Sequence, residues 1–410
     1  MKRVLITGRG VVSPLGGNLA SLMDGLEESR SAVTRMAGWE EYVGLNSLVG
    51  APAELAGEKA FPRKIRRSMG RLSLFAALAA TQAAEDARID DVLLMSRRVG
   101  CVMGSTMGGA EAMNEAFEIM LPEHDLSLLS PMSFFKCVSH TAAMNVAQAL
   151  GLKGYVMATS AACASSLQAV GLGYELIQSG RQDVLLCGGA EELHPIVTGV
   201  FDILFATSTH FNDDVRMTPR PFDARRDGLV CGEGAGVLVL EEYDHARNRG
   251  APIYGEIVGY STSASGLHVS QSSREGMRAC MEDAIKDSGL LAEQVDYVCA
   301  HATATLQGDQ AEAEAIHDVF GDAVPVSGLK GYIGHTLGAS GAIELAACLE
   351  MMSRGIVYPT FNLEDVDAAC GGIAHVQRPL AGEFSVLVKN SFAFGGINAS
   401  LVCKKAEPGL

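Results

Sequence analysis

The chain has 410 residues, 48% of them hydrophobic, and a formal net charge of −16. That length suits two or three ordinary domains or one large duplicated unit, and the acidic balance disfavours nucleic acid as a partner. Ten cysteines without a CxxC pair are better explained as free thiols in a reducing compartment than as disulfides. No apolar run reaches membrane-spanning length and MKRVLITGRG is not a signal peptide, so we expect a cytoplasmic protein with no membrane partner.

Apolar strand-like runs alternate with helical patterns from RVLITG (3–8) to FSVLVKNS (384–391). Between these two runs lie RRVGCVMG, GYVMATS, DVLLCGG, GVLVLEE, IYGEIVGYS, DYVCAH and VPVSG. Continuous apolar strands between helices predict an α/β protein whose buried, mostly parallel sheet is covered on both faces.

The sequence contains a weak internal repeat. RVGCVMGST resembles VDYVCAHAT, and TSAACASSLQA resembles HTLGASGAIEL. The repetition predicts two similar halves, residues 1–250 and 251–410, that meet at the turn in HARNRGAPIYG.

Cys163 lies among small residues in TSAACASS, between a strand-like run and a long helical pattern. The pattern places it in the first turn of a helix, where free N–H groups and the helix dipole favour a reactive thiolate. Small neighbours leave room for a substrate. The alternative is an ordinary buried cysteine.

Two histidines lie in turns where chemistry is common. His301 follows a strand in CAHATATLQGD, and His335 lies in the Gly-rich turn of LKGYIGHTLGASGAIE. Lys330 is in the same loop as His335, and Glu344 is its nearest carboxylate partner in sequence if the lysine is buried. The alternative for Lys330 and Glu344 is a surface ion pair.

NSFAFGGINAS (390–400) is predicted as a Gly-rich loop around Phe394, which could offer backbone N–H groups to an oxyanion. The alternative is a tight hairpin with a core aromatic. No helix carries two histidines within one turn, there is no P-loop, and ITGRGVVSPLG is an incomplete dinucleotide fingerprint. We therefore expect no metal and no organic cofactor.

Several motifs in order resemble the elongating β-ketoacyl-acyl-carrier-protein synthases of the thiolase superfamily, over essentially the whole chain. They are VLITGRGVVSPLG, TSAACASS, RPFDARRDGLVCGEGAGVLVLE, HATATLQGD, LKGYIGHTLGASGAIE and NSFAFGGINASLV. The resemblance implies a duplicated thiolase fold with five αβαβα layers. It also implies decarboxylative condensation of malonyl-carrier with a cysteine-bound acyl chain in fatty-acid synthesis, with acyl carrier protein as the partner and a homodimer as the assembly.

The resemblance assigns roles to the residues that match its motifs. Cys163 matches the nucleophile, and His301 and His335 match the histidines that act on the malonyl thioester. Lys330 and Glu344 match the pair that organises these histidines, and Phe394 matches the second oxyanion-hole residue. Thr303 and Thr305 match the threonines that contact the pantetheine arm. Met107 matches a position that bounds the acyl tunnel, and Phe201 is a second candidate for the tunnel wall.

RKIRRSMGR (63–71) is the densest positive run, and an acidic carrier needs a basic patch on an acidic enzyme. Arg63, Lys64 and Arg67 match the docking patch of relatives, and Lys136 is expected to add to it. The alternative is a solvated helix face.

Three departures from the family pattern concern HATAT, AFGGIN and the SGL that precedes Lys330. Ala302 and Ala304 replace glycines beside His301, which predicts a narrower pantetheine end. Ala393 and Ile397 are the departures in AFGGIN, and alanine in place of glycine predicts a less freely moving Phe394 loop. Two alternatives stay open on this ground. One is a ketosynthase of a type II polyketide or polyene pathway; the other is a non-catalytic chain-length-factor-like subunit, against which Cys163 counts. A heterodimer with a related subunit is also open.

Overall fold

The computed structural model describes residues 1–406, so the last four residues of the predicted second half lie outside the described residues. The helices are α1 Leu19–Glu27, α2 Arg63–Arg66, α3 Arg71–Asp86, α4 Asp91–Leu94, α5 Ala110–Met120, α6 Pro131–Cys137, α7 Thr141–Leu150, α8 Ser165–Gln178, α9 Pro195–Asp202, α10 Tyr243–Asn248, α11 Arg274–Ser288, α12 Leu306–Phe320, α13 Lys330–Ile333 and α14 Ser340–Arg354. The strands are β1 Val4–Val12, β2 Thr34–Arg35, β3 Val49–Gly50, β4 Val99–Gly104, β5 Val156–Thr159, β6 Val184–Glu191, β7 Gly234–Glu242, β8 Gly255–Ala264, β9 Tyr297–Cys299, β10 Pro325–Ser327, β11 Ile356–Val357, β12 Ala374–His375, β13 Leu380–Ala381, β14 Val386–Ala393 and β15 Ile397–Lys404.

Eleven strands form one continuous sheet in the order β12-β10-β9-β14-β15-β8-β1-β7-β6-β4-β5. From one end, β5, β4 and β6 are parallel and β7 and β1 follow antiparallel. From the other end, β10, β9 and β14 are parallel and β15 and β8 follow antiparallel. The same five-strand pattern therefore occurs twice, joined where β1 pairs with β8. The weak sequence repeat corresponds to a structural repeat, since RVGCVMGST and VDYVCAHAT form the equivalent strands β4 and β9.

Helices cover the strands in layers. The helices α3 and α7 pack on the outer face of the first strand set, and α11 packs on the outer face of the second, with α12 against α11. Between the two sets lie α8 and α14, which contact strands of both. These two helices approach closely because Gly341 has no side chain: a Cβ there would lie 2.9 Å from the Leu167 Cβ. The result is the expected five-layered αβαβα arrangement.

Two details of the sequence prediction were wrong. The sheet is mixed rather than mostly parallel, because half of its strand pairs are antiparallel. The segment 390–400 is mainly strand: β14 continues to Ala393 and β15 begins at Ile397, so only three residues form the turn. Gly395 and Gly396 have φ of +90° and +72°, which allows so tight a hairpin.

All ten cysteines are free, and nine of them are buried. Among residues 1–406, no helix is both long enough and apolar enough to cross a bilayer.

Candidate active site

Cys163 lies in a 3-10 turn, Ala162–Ala164, that leads directly into α8. Ala162 has φ +47°, an uncommon conformation for a residue with a side chain, and turns the chain sharply. The Ser165 hydroxyl fixes this turn: its oxygen accepts from the Ala161 N–H at 2.8 Å and it donates to the Ala162 carbonyl at 2.7 Å. Cys163 is therefore two residues before the helix rather than in its first turn, and it is buried.

His335 approaches Cys163 most closely, with 2.9 Å between its Nε2 and the Cys163 Sγ. On the other side of the ring, Nδ1 accepts from the Leu337 N–H at 3.3 Å and lies 3.0 Å from the Ser340 hydroxyl. Because Nδ1 accepts a backbone hydrogen bond, the proton of the neutral ring is on Nε2 and is directed at the sulfur.

His301 lies beside His335, with 5.2 Å between the ring centroids and an angle of 81° between the rings. Its main chain is held on both sides: the N–H donates to Glu312 at 2.6 Å, and the carbonyl accepts from the Lys330 Nζ at 2.5 Å. Glu312 also accepts from the Ala302 N–H at 2.7 Å. The loop that carries His301 is thus fixed by buried charges.

Lys330 and Glu344 form a buried ion pair, not a surface one, with 2.7 Å between Nζ and Oε1 and both side chains fully inaccessible. A second lysine, Lys389 on β14, lies 2.6 Å from the other carboxylate oxygen, and it is also fully buried. Glu344 therefore has one ammonium group on each oxygen.

Electrostatics at the site oppose one sequence expectation. Burial raises the pKa of the Cys163 thiol to about 12, although the Lys330 charge acts in the opposite direction. Burial lowers the pKa of His335 well below its usual value, and Lys330 and Lys389 lower it further. The pKa of His301 is also well below the usual value, through burial first and then Lys330. These shifts favour a neutral thiol beside neutral imidazoles over the predicted resting thiolate, because desolvation is the largest cause of each shift.

The predicted acyl-pocket residues come together at Cys163. Met107 and Phe201 pack in the same hydrophobic cluster as Cys163 and Phe394. The rings of Phe201 and Phe394 are 5.9 Å apart. Phe394 lies in the β14–β15 turn, and β14 packs against the 3-10 turn of Cys163.

Thr303 and Thr305 line a cavity together with Cys163 and both histidines. Their hydroxyl oxygens are 3.0 Å apart. Ala302 and Ala304 are fully buried at φ of +42° and +68°. Neither alanine is part of the cavity wall, and the expected narrowing of the pantetheine end stays a prediction.

The predicted docking residues lie apart from this cavity. Arg63, Lys64 and Arg67 are exposed on and just after the short helix α2. Lys136 is partly exposed at the end of α6, and both short helices pack against α7.

The ligand atoms of Cys163, His301 and His335 all lie within 4.8 Å of one another. Thiolate and imidazole are ligands that suit Zn²⁺. The absence of a metal at these atoms stays a prediction.

Sequence reasoning missed three buried acids and a lysine at this site. Glu191 accepts from the Thr106 N–H at 2.8 Å and from the Gly338 N–H at 3.0 Å, which ties the Met107 loop to the His335 loop. Asp309 accepts from the Ala304 N–H at 3.0 Å. The one available signal was Lys389, a lone charge within the apolar run FSVLVKNS; nothing marked Glu191, Asp309 or Glu312 among the other acids.

A duplicated five-layered fold with a buried cysteine at a helix mouth and two neutral imidazoles beside it defines an acyl-transferring condensing enzyme of the thiolase-fold class. Models of the beta-ketoacyl synthase N-terminal and C-terminal domains match residues 1–246 and 254–364. A 3-oxoacyl-[acyl-carrier-protein] synthase 1 from Haemophilus influenzae is 35% identical, over 99% of each chain. The chain therefore belongs to the beta-ketoacyl synthase family.

Two solved structures are similar to it over nearly the whole chain. A beta-ketoacyl synthase from Burkholderia phymatum is 43% identical, with a TM-score of 0.96 over 99% of this chain and 100% of that one. A type II polyketide ketosynthase, solved with its acyl-carrier protein and bound to the hexaketide, is 29% identical, with a TM-score of 0.91 and the same coverage.

Proposed function

We propose that this protein is a 3-oxoacyl-[acyl-carrier-protein] synthase of fatty-acid synthesis, with Cys163 as its nucleophile and His301 and His335 as its malonyl-site donors. The observation that carries the proposal is the cluster itself: the Cys163 sulfur lies 2.9 Å from the His335 Nε2, and the His301 ring lies beside both in one cavity. The full-length similarity to a synthase of that name supports the same activity.

In the first half-reaction, the Cys163 sulfur attacks the thioester carbonyl of an acyl-carrier. The bond to the carrier sulfur breaks, and the proton of the Cys163 thiol leaves with the pantetheine thiol. The backbone N–H groups of Cys163 and Phe394 hold the oxyanion. Met107 and Phe201 line the tunnel for the acyl chain, and the packing of Phe394 on Phe201 supports its role as a gate.

In the second half-reaction, malonyl-carrier enters past Thr303 and Thr305. His301 and His335 donate to its thioester carbonyl, and the bond to the carboxylate breaks to release carbon dioxide. The electron pair stays as an enolate whose charge the two donors stabilise. Its carbon attacks the Cys163 thioester, and the freed thiolate takes a proton from water. The product is a β-ketoacyl-carrier two carbons longer.

The second candidate is a ketosynthase of a type II polyketide or polyene pathway. The similarity to a solved polyketide ketosynthase and the alanines beside His301 favour it. A non-catalytic subunit has less support, because the cysteine and both imidazoles are in contact. The test incubates purified protein with malonyl-carrier and acyl-carriers of graded length and identifies the products by mass spectrometry. Extension of saturated chains by two carbons supports the first candidate; activity only on polyketide or polyene intermediates supports the second; no elongation of any chain contradicts both.

Carrier protein is expected to dock on Arg63, Lys64 and Arg67, with Lys136 nearby. Within residues 1–406 none of these four side chains forms a salt bridge, so their charge is available to an acidic partner. Charge reversal at Lys64 and Arg67 is expected to raise the KM for carrier-bound substrates while sparing small thioesters. Equal effects on both substrates would argue against docking there.

A second copy of the chain is expected to pair along β5. This strand lies at one end of the sheet, and Val156 and Met157 on it are 45% and 37% exposed. An exposed apolar edge strand tends to pair with a strand of another chain, and an isologous dimer would bury β5 in this way. Light scattering should give the mass of a dimer, and Met157→Lys should reduce it to that of a monomer.

The ten free thiols support a cytoplasmic location.

A further inference from the structure

Lys389 is a buried charge that the proposed chemistry above does not use. It lies in the middle of β14, five residues before Phe394 in the β14–β15 turn. Its Nζ is 2.6 Å from the Glu344 Oε2 and donates to the Asn390 carbonyl at 2.5 Å. Burying an ammonium group costs several kcal/mol unless a specific partner compensates, so its position requires an explanation.

The charge balance behind the histidines supplies that explanation. Two buried carboxylates lie there: Glu344 on α14, and Glu312 on α12, which holds the main chain of His301. Both ammonium groups contact Glu344, and Glu312 accepts the N–H groups of His301 and Ala302, so the two lysines and the two carboxylates together carry no net charge. Without Lys389, the cluster behind the imidazoles would carry an uncompensated negative charge where an anion must form.

We propose that Lys389 is a positioning residue of the active site, which shares the Glu344 carboxylate with Lys330 and supplies the positive charge that the enolate formed between the two imidazoles requires. The inference rests on the proposed function, because the enolate belongs to that function. The effect of the Lys389 charge on the two histidines does not depend on it. Lys389 acts through Glu344 and through its field, since it does not line the cavity that holds Cys163.

The electrostatics of the histidines agree with this placement. Lys389 is among the groups that lower the pKa of both His301 and His335, after burial and Lys330. Burial lowers the pKa of Lys389 itself, but Cys299 and then Glu344 raise it by more, so the lysine is an ammonium ion at neutral pH. The titratable groups around the imidazoles and Lys389 are Cys163, Glu191, Cys299, Asp309, Glu312, Lys330, Glu344 and Cys348.

The first experiment measures imidazole titration by NMR in protein labelled on histidine, for wild type and Lys389→Met. Removal of a nearby cation favours the charged imidazolium, so the protonation midpoints of His301 and His335 should move upward by roughly one pH unit. The readout needs no substrate, so it tests Lys389 even if the chain proves to elongate nothing. Unchanged midpoints in a folded variant would overturn the proposal.

A charge-balanced pair of variants separates electrostatics from packing. Glu344→Gln removes one negative charge and should lower both midpoints, and the addition of Lys389→Met to it should return them toward wild type. If Lys389→Met alone does not fold, the comparison of Glu344→Gln with the double variant still tests the proposal. Equal protonation midpoints in these two proteins would contradict it. Lys404→Met is the matched control: Lys404 lies on the neighbouring strand, 30% exposed and 3.3 Å from Glu256, and its loss should leave the midpoints unchanged.

The second experiment measures malonyl-carrier decarboxylation. Lys389→Met should lower kcat roughly tenfold or more while KM changes little, because the lysine is remote from the surface that binds the carrier. Lys389→Arg, which keeps the charge, should recover part of kcat. A raised KM with normal kcat would assign Lys389 to substrate binding and contradict the proposal. Failure of wild type to decarboxylate would contradict the proposed function, and the NMR result would still decide on Lys389.

Discussion

The turns that precede α8 and α14 have the same backbone but different chemistry. Each is a 3-10 turn, Ala162–Ala164 and Leu337–Ala339, and each begins with a non-glycine residue at positive φ, +47° for Ala162 and +46° for Leu337. The two turns contact each other in the middle of the molecule. In the first turn the central position is Cys163; in the second it is Gly338.

That difference shows how a duplicated scaffold makes an asymmetric site. Cys163 brings a sulfur to the contact between the halves. Gly338 leaves space instead: a Cβ there would lie 2.8 Å from the Glu191 carboxylate and 2.8 Å from the Thr106 nitrogen. Glu191 therefore reaches the Gly338 N–H, and the turn places His335 against the sulfur. One copy of the turn carries the proposed nucleophile, and the other positions the imidazole beside it.

The largest expected effect comes from the first turn. Cys163→Ala should reduce condensation roughly a thousandfold or more, because Cys163 is the cysteine that lines the cavity and the proposed acceptor of the acyl chain. Decarboxylation of malonyl-carrier should survive, since both imidazoles remain. The measurement is product formation by mass spectrometry beside release of carbon dioxide. A variant that still elongates chains would remove Cys163 from the mechanism.

Gly338→Ala alters the second turn and leaves Cys163 in place. The new methyl group must displace Glu191 or the backbone of residue 106, and a shift of about 1 Å in His335 can cost up to a hundredfold in rate. We expect condensation to fall about tenfold to a hundredfold, measured by steady-state assay. Gly17→Ala is the control, because a Cβ there meets nothing within 4 Å. Equal rates for wild type and Gly338→Ala would show that the space at position 338 is not needed.

Local patterns predicted the strands and the sharp turn at Cys163, because these signals lie within single segments, whereas the meeting of Cys163 with His301 and His335 was implied by the family resemblance. The apolar runs give the strand positions, and the small residues around Cys163 give the sharp turn into α8. The antiparallel joins in the sheet, the three-residue β14–β15 turn and the Lys389–Glu344 contact depend on segments far apart in the chain. For Cys163, the helix dipole was evident in the sequence, but its burial was not, and burial decides the protonation state.

The buried imidazoles should make stability depend on pH. Their pKa is depressed in the folded state by burial and then by Lys330, so the unfolded chain binds more protons below pH 6.5. Their contribution is fully present above that pH and is lost as pH falls toward the folded pKa. The free energy of unfolding should therefore fall between pH 6.5 and 5.5, by up to about 1.0 kcal/mol for each histidine.

Denaturant unfolding of wild type and His335→Gln at those two pH values isolates one of these groups. Glutamine does not titrate, so the fall in unfolding free energy should be smaller in the variant. The same fall in both proteins would mean that His335 titrates alike in the folded and unfolded chain.

The smallest expected effect concerns the loop that carries His301. A Cβ at Gly328 would lie 2.6 Å from the Ala302 Cβ, so the methyl group of residue 302 occupies the space in front of residue 328. Gly328→Ala alone should therefore cost roughly 1–3 kcal/mol of stability through overpacking. Ala302→Gly alone should change little, because the relief of left-handed strain opposes the greater freedom of glycine in the unfolded chain.

The double variant should be more stable than the sum of the single changes predicts, by about 0.5 kcal/mol or more, because removal of one methyl group makes room for the other. Urea unfolding of the four proteins measures this coupling. Ala304→Gly is the matched control: Ala304 has a similar left-handed backbone at φ +68° but does not lie against Gly328, so its effect should add to that of Gly328→Ala. If Ala302→Gly and Ala304→Gly couple equally to Gly328→Ala in unfolding free energy, the coupling comes from backbone strain and not from the contact between residues 302 and 328.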